Sequence, residues 1–164
     1  MKMLKNQISM EFDAISENER LARVVIAAFL AEIDPTIDEL EDVKTAVSEA
    51  VTNAIIHGYK ENGGKVILQA NLVADGELVV DIIDHGVGIA DVEQAMQPFF
   101  TTGASSERSG MGFSFMEAFM DGLDVESTPG EGTCVHMWKR FSKRQATGTK
   151  PILQAAVWNR SGRE

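Results

Sequence analysis

The sequence predicts an α/β fold: a two-layer sandwich in which a mostly antiparallel mixed sheet is covered by helices on one face. Three observations lead there. Strand and helix signals follow in the order strand, helix, helix, hairpin, loop, helix, hairpin, so the βαβ alternation of a doubly wound parallel sheet is missing. Asp75-Gly76 stands between two alternating apolar runs and marks a tight turn, which only antiparallel strands can use. A length of 164 residues supports one domain with a real core and is short for two.

The elements follow in order. Ile8, Met10 and Phe12 alternate with polar residues and predict an N-terminal strand. Ser16 with Glu19 reads as an S-x-x-E capping box that opens a helix, ENERLARVVIAAFLAEI, and Asp34-Pro35 ends it. A second helix is expected from about Thr36 or Asp38 to His57, with Gly58 as its stop signal. Leu40, Val43, Val47, Ala50 and Ala54 form its core stripe, while Thr45, Glu49, Asn53 and His57 fall on a different face. The hairpin GKVILQANLVADGELVVDIIDHG comes next. QPFFTTGASSERS, residues 97–109, has no periodicity and reads as a long loop, of the kind usually tied to function. GMGFSFMEAFMDG is a helix opening on a glycine pair, and LDVESTPGEGTCVHMWKRF gives two strands around Pro129-Gly130. The expected domain covers residues 1–141. Residues 142–164 form a basic tail, expected to be mobile.

Charge is divided unevenly. Residues 1–138 carry 8 Lys+Arg against 24 Asp+Glu, whereas 139–164 carry 7 against 1. So acidic a body repels phosphates over about a Debye length, which argues against direct nucleic-acid binding. It suits a basic protein partner or plain solubility. Any polyphosphate held here needs a cation and local positive groups. No apolar run is long enough to span a bilayer, and MKMLKNQISM lacks the features of a signal peptide. The single cysteine, Cys134, lies in an expected strand and reads as a buried thiol, in keeping with a cytoplasmic protein.

Several short motifs carry possible chemistry. Asp84-His85-Gly86-Val87-Gly88 follows a buried strand. A carboxylate there can accept the amino protons of adenine, and bare glycine backbone lets a flat ring approach; a simple turn is the plainer alternative. Ser109-Gly110-Met111-Gly112 opens a helix, where exposed amides and the helix dipole favour phosphate. Gly132-Thr133 places a hydroxyl at the start of the last strand. On the second helix the Asn53 amide oxygen is a suitable single protein ligand for Mg²⁺, whose other ligands are phosphate oxygens and water. Glu49, one turn earlier, can act as general base toward a hydroxyl nucleophile. His57 reads as structural or as a donor at the helix end. Each motif alone fits an ordinary turn, cap or solvated helix face; their order and spacing together are a stronger signal.

That order, E-x-x-x-N, then D-x-G-x-G, then a loop ending in G-x-G, then G-T, resembles the ATP-binding domain shared by gyrase, heat-shock-90 chaperones, mismatch-repair ATPases and histidine kinases. Within it, SENERLARVVIAAFLAEIDPTIDELEDVKTAVSEAVTNAIIHGY and PFFTTGASSERSGMGFSFMEAFMD closely resemble the anti-sigma F factor family of spore-forming bacteria, over about residues 8–140. The resemblance implies a serine kinase that is also a binding protein: a dimer that holds sporulation sigma factor F inactive and, using ATP with Mg²⁺, phosphorylates a serine of an anti-anti-sigma partner. It makes Glu49 the catalytic base and Asn53 the Mg²⁺ ligand. Asp84, aided by Thr133, would take adenine, with Gly86 and Gly88 shaping the pocket. Gly110, Met111 and Gly112 would face the phosphates of ATP or ADP. Residues 97–109 would be the lid, contributing Thr102, with Arg108 reaching the γ-phosphate. Arg23 would contact protein partners. The lid departs from the family pattern, with Gly103-Ala104 where Lys-Pro is expected. Two other readings stay open: a related stress-response switch kinase acting on another sigma factor, and an anti-sigma module that holds nucleotide without transferring phosphate.

Overall fold

The computed structural model describes residues 2–98 and 112–142. Strands β1 (Leu4–Asp13), β2 (Lys65–Val73), β3 (Glu77–Asp84), β4 (Gly122–Thr128) and β5 (Gly132–Arg140) make one sheet in the order β1-β2-β3-β5-β4. All four pairings are antiparallel. Helices α1 (Glu17–Leu30), α2 (Ile37–Asn53) and α4 (Gly112–Phe119) cover one face. A short helix, α3 (Val92–Ala95), lies in the stretch after β3 and was not expected from the sequence.

Alternation along each strand decides which face is covered. Val66, Leu68, Ala70 and Leu72 of β2 point inward with Leu78, Val80 and Ile82 of β3 and Val135 and Met137 of β5. They meet Ala22, Ile26 and Leu30 of α1, Val43, Val47, Ala50 and Val51 of α2, and Met116 of α4, all buried in one core. The other face carries Asp81 and His136, whose side chains meet at 2.5 Å, and Trp138, whose ring occupies the space a side chain at Gly122 would need. Cys134 belongs to this face, so it is half-buried rather than sealed in the core. Burial and the surrounding carboxylates push its thiol up to about 11.

Helix ends differ from the sequence expectation in instructive ways. Ser16 keeps helical backbone angles and makes no side-chain cap. Its intended partner Glu19 is engaged elsewhere, accepting the Ser48 hydroxyl hydrogen from α2 and lying 3.6 Å from Arg23. A complete capping box forms instead at α2, where the Glu39 N–H donates to Thr36 Oγ1 at 3.0 Å and the Thr36 N–H to Glu39 Oε2 at 2.8 Å. Thr36→Ala is expected to cost about 1 kcal/mol, lowering Tm by roughly 3–5 °C in a thermal melt. Past Asn53, α2 widens into a π-helical turn, Ala54–Gly58, which brings the chain to the end of β3.

Candidate functional site

A cavity of about 280 Å³ opens between the end of α2 and the end of β3. Its apolar walls are Ala50 and Ala54 of α2 and the turn after it, Ile82 of β3, Val135 of β5, Val87 and Ile89 from the loop, and Phe113 of α4. Asn53, His57, Gly58 and Lys60 line one side; Gly88, Asp91 and the α3 residues Gln94 and Ala95 line another. Asp84 and Thr133 supply buried polar groups, only 5% and 8% exposed. A mostly apolar hollow with few convergent polar groups is the usual form of a small-molecule site.

Asp84 ends β3, directly opposite Thr133 in the ladder. The Gly86 N–H donates to its Oδ1 at 2.9 Å. Burial raises the carboxyl above its ordinary value of 3.8, opposed by backbone N–H groups of Gly86 and Thr133 and by nearby His85. Gly58 makes the close approach possible. A Cβ there would lie 2.8 Å from Asp84 Oδ1, so the helical turn can reach the carboxylate only as glycine.

The glycines of D-x-G-x-G act chiefly between backbones. A Cβ on Gly86 would sit 2.0 Å from the Gly58 carbonyl oxygen, which accepts the Val87 N–H at 2.8 Å. Gly88, at φ +71°, lies under the Thr128 carbonyl, and Gly130 N–H donates to the Val87 carbonyl at 2.8 Å. Gly88 lines the cavity; Gly86 holds its wall together from behind. At both positions the missing Cβ leaves room for neighbouring backbone, Gly58 at Gly86 and Thr128 at Gly88, and of the two only Gly88 lines the cavity.

Glu49 and Asn53 come together at the start of α4. A Cβ on Gly112 would lie 3.2 Å from Asn53 Nδ2, 3.3 Å from Asn53 Oδ1 and 3.4 Å from Glu49 Oε2. Carboxylate, amide and helix start thus converge beside the cavity, the arrangement that i, i+4 spacing on α2 makes available. At the far end of α4 the Lys139 ammonium donates to the Phe119 carbonyl at 2.7 Å and reaches Asp42 of α2 at 3.4 Å, so α4 runs antiparallel along α2. Thr102, Arg108, Gly110 and Met111 lie outside the described residues. Arg23 is half-buried on α1, paired with Glu19 and away from the cavity lining.

Gly58, Lys60, α3 and Ser127 escaped the sequence reading. Gly58 carried a signal only as a helix stop. Ser127 carried none: it meets Gly132 and Thr133 across the β4–β5 turn, but its third contact, Ile89, comes from the distant loop after β3. Among the described residues no helix is long and apolar enough to cross a membrane.

Comparison with known proteins accords with this geometry. Residues 12–139 match the model of the histidine kinase-like ATPase domain. The chain is 52% identical to the anti-sigma F factor of Clostridium acetobutylicum over 140 residues, 85% of this chain and 97% of that protein. It is equally 52% identical to the anti-sigma F factor of Bacillus subtilis over 144 residues, 87% of this chain and 98% of that one. Among solved structures, the RsbU and RsbW domains of a Mycobacterium tuberculosis protein share the fold with a TM-score of 0.61 at 22% identity, covering 85% of this chain and 34% of that one. The mycobacterial sensor histidine kinase MprB shares it with a TM-score of 0.51 at 17% identity, covering 84% of this chain and all of that one. A kinase-like ATPase fold, a cavity floored by Asp84, and half-identity across nearly the whole length of these relatives lead to one statement: this chain belongs to the anti-sigma F factor family, within the histidine kinase-like ATPase domains.

Proposed function

We propose that this protein is an anti-sigma factor that binds and inhibits sporulation sigma factor F, and that it uses ATP with Mg²⁺ to phosphorylate a serine of an anti-anti-sigma partner. The observation that carries the reading is the convergence of Glu49, Asn53 and Gly112 beside a cavity whose buried acceptor is Asp84. The names of its relatives support the sigma partner. The cavity's mixed character fits a purine: apolar walls for the ring and a carboxylate for its amino group. Homodimerisation and a cytoplasmic setting belong to the same reading, as does Arg23 as the partner contact on α1.

Bound Mg²⁺-ATP would supply the transferable phosphoryl group and the cation that an acidic protein needs near it. Asn53 would hold the cation through its amide oxygen. Among the described residues no group of three His, Cys, Asp or Glu side chains is placed to hold a metal, and a single amide ligand plus phosphate oxygens requires none. Glu49 would take the proton of the incoming serine hydroxyl, and Asp84 with Thr133 would orient the base. Thr102, Gly110 and Met111 would join Gly112 around the phosphates, with Arg108 balancing charge at the transferring group.

Calorimetry tests the metal assignment. Asn53→Ala is expected to lose most of the Mg²⁺-dependent part of ATP affinity, so that titrations with Mg²⁺ and with EDTA converge. Wild-type titrations that are already the same in both conditions would remove Asn53 from this role. Incubation with labelled ATP and the anti-anti-sigma protein separates a kinase from a binding module: label on a partner serine is the expected outcome.

A further inference from the structure

The hydroxyl of Ser127, on β4, has three neighbours at hydrogen-bond distance. Ile89 N lies at 2.8 Å, the Gly132 carbonyl oxygen at 3.0 Å and Thr133 Oγ1 at 2.8 Å. A serine hydroxyl has one hydrogen to give and two lone pairs to offer. The Ile89 N–H can only donate, and the Gly132 carbonyl can only accept. Ser127 therefore accepts from Ile89 and gives its own hydrogen to Gly132. The contact with Thr133 is then a hydrogen bond only if Thr133 is the donor. This is the one assignment in which all three contacts are hydrogen bonds and both Ser127 lone pairs are used.

The consequence falls on the cavity. Thr133 is buried, lines the hollow, and has spent its only hydrogen on Ser127. What it offers a ligand is lone pairs alone. Asp84, beside it across the ladder, offers carboxylate oxygens. We propose that Ser127 is a specificity-determining positioning residue: by fixing the Thr133 proton it makes the polar floor of the cavity accept hydrogen bonds and give none, which selects a base with an amino group at the six-position over one with an oxo group there. The purine amino group of adenine brings two hydrogens, whereas the corresponding oxo group of guanine brings only lone pairs. In the pose that adenine takes, the oxo oxygen would face acceptor against acceptor in a buried site. The base must then shift to bring its N1–H to Asp84 before a partner is regained, which weakens its binding. The inference rests on the nucleotide reading above and deepens it.

Ser127→Ala frees the Thr133 hydroxyl to turn its hydrogen toward the ligand. Calorimetric titration of the full chain with ADP and with inosine diphosphate, its six-oxo counterpart, reads the ratio of affinities. The wild type is expected to favour ADP by about 100-fold, Ser127→Ala by about 10-fold, and Ser127→Thr, which keeps the hydroxyl, by nearly the wild-type ratio. A merely structural Ser127 would weaken both ligands alike and leave the ratio unmoved, and that result overturns the proposal. Should the alanine variant fail to fold, Ser127→Cys makes the same comparison with a much weaker acceptor. A wild type that binds neither ligand would instead defeat the nucleotide reading itself, so the two failures are told apart.

Discussion

Replacing Glu49 by glutamine is expected to reduce serine phosphorylation by about 10²–10⁴ while leaving ADP affinity within about twofold of wild type. Glutamine has the same shape, so the packing of Gly112 against this side chain and Asn53 survives. What the proposed role would lose is the capacity to take a proton from the incoming hydroxyl. In a phosphoryl transfer dominated by positioning and charge stabilisation, that loss slows the chemical step and spares binding. Single-turnover transfer from labelled ATP to the anti-anti-sigma protein measures the first quantity and calorimetry the second. An undiminished rate would assign Glu49 a purely structural place. Equal losses in rate and affinity would point to damage at the α2–α4 contact rather than to removal of a base.

The largest expected effect on stability comes from Gly86→Ala. The added Cβ would sit 2.0 Å from the Gly58 carbonyl oxygen, and this obstacle is backbone, not the end of a flexible side chain. The π-helical turn and the loop after β3 must separate for it to fit, and the 2.8 Å bond from Val87 N–H to that carbonyl goes with them. Overpacking of a tight site costs typically about 1–3 kcal/mol, and loss of the backbone bond adds to it. A destabilisation of about 3 kcal/mol, or roughly 10 °C in Tm, is expected. The same displacement pulls Gly58 away from Asp84, so nucleotide affinity should fall even at temperatures where the variant is folded. A melt within about 2 °C of wild type would show that the junction yields more easily than its backbone contacts imply.

Both predictions concern places where local sequence and tertiary structure contributed differently. The strands, the hairpin turn and the two long helices were legible because burial on one face imposes a period of two on strands and a stripe on helices. The pair Glu49 and Asn53 was legible for a related reason: a spacing of four on a helix forces two side chains onto one face wherever that helix goes. Cap and turn chemistry read less well. The signature at Ser16 and Glu19 satisfied the local rule for a capping box, yet Glu19 instead received the Ser48 hydroxyl from a neighbouring helix. Thr36 and Glu39 formed the box that Ser16 did not. Helix α3 was missed because four residues are too few to show a period.

The sequence by itself determined the fold class, the order of elements, the family resemblance and the acid–amide pair on α2, because each of these is written in periodicity or in residues close together along the chain. Tertiary structure alone decided that Gly58 touches Asp84, that Gly86 serves a backbone contact, and that Ser127 receives the Ile89 N–H. Those facts depend on distances between segments separated by tens of residues, from the end of α2 to β3 and from the loop after β3 to the β4–β5 turn. Only the packed sheet and helices set such distances, and no local pattern encodes them.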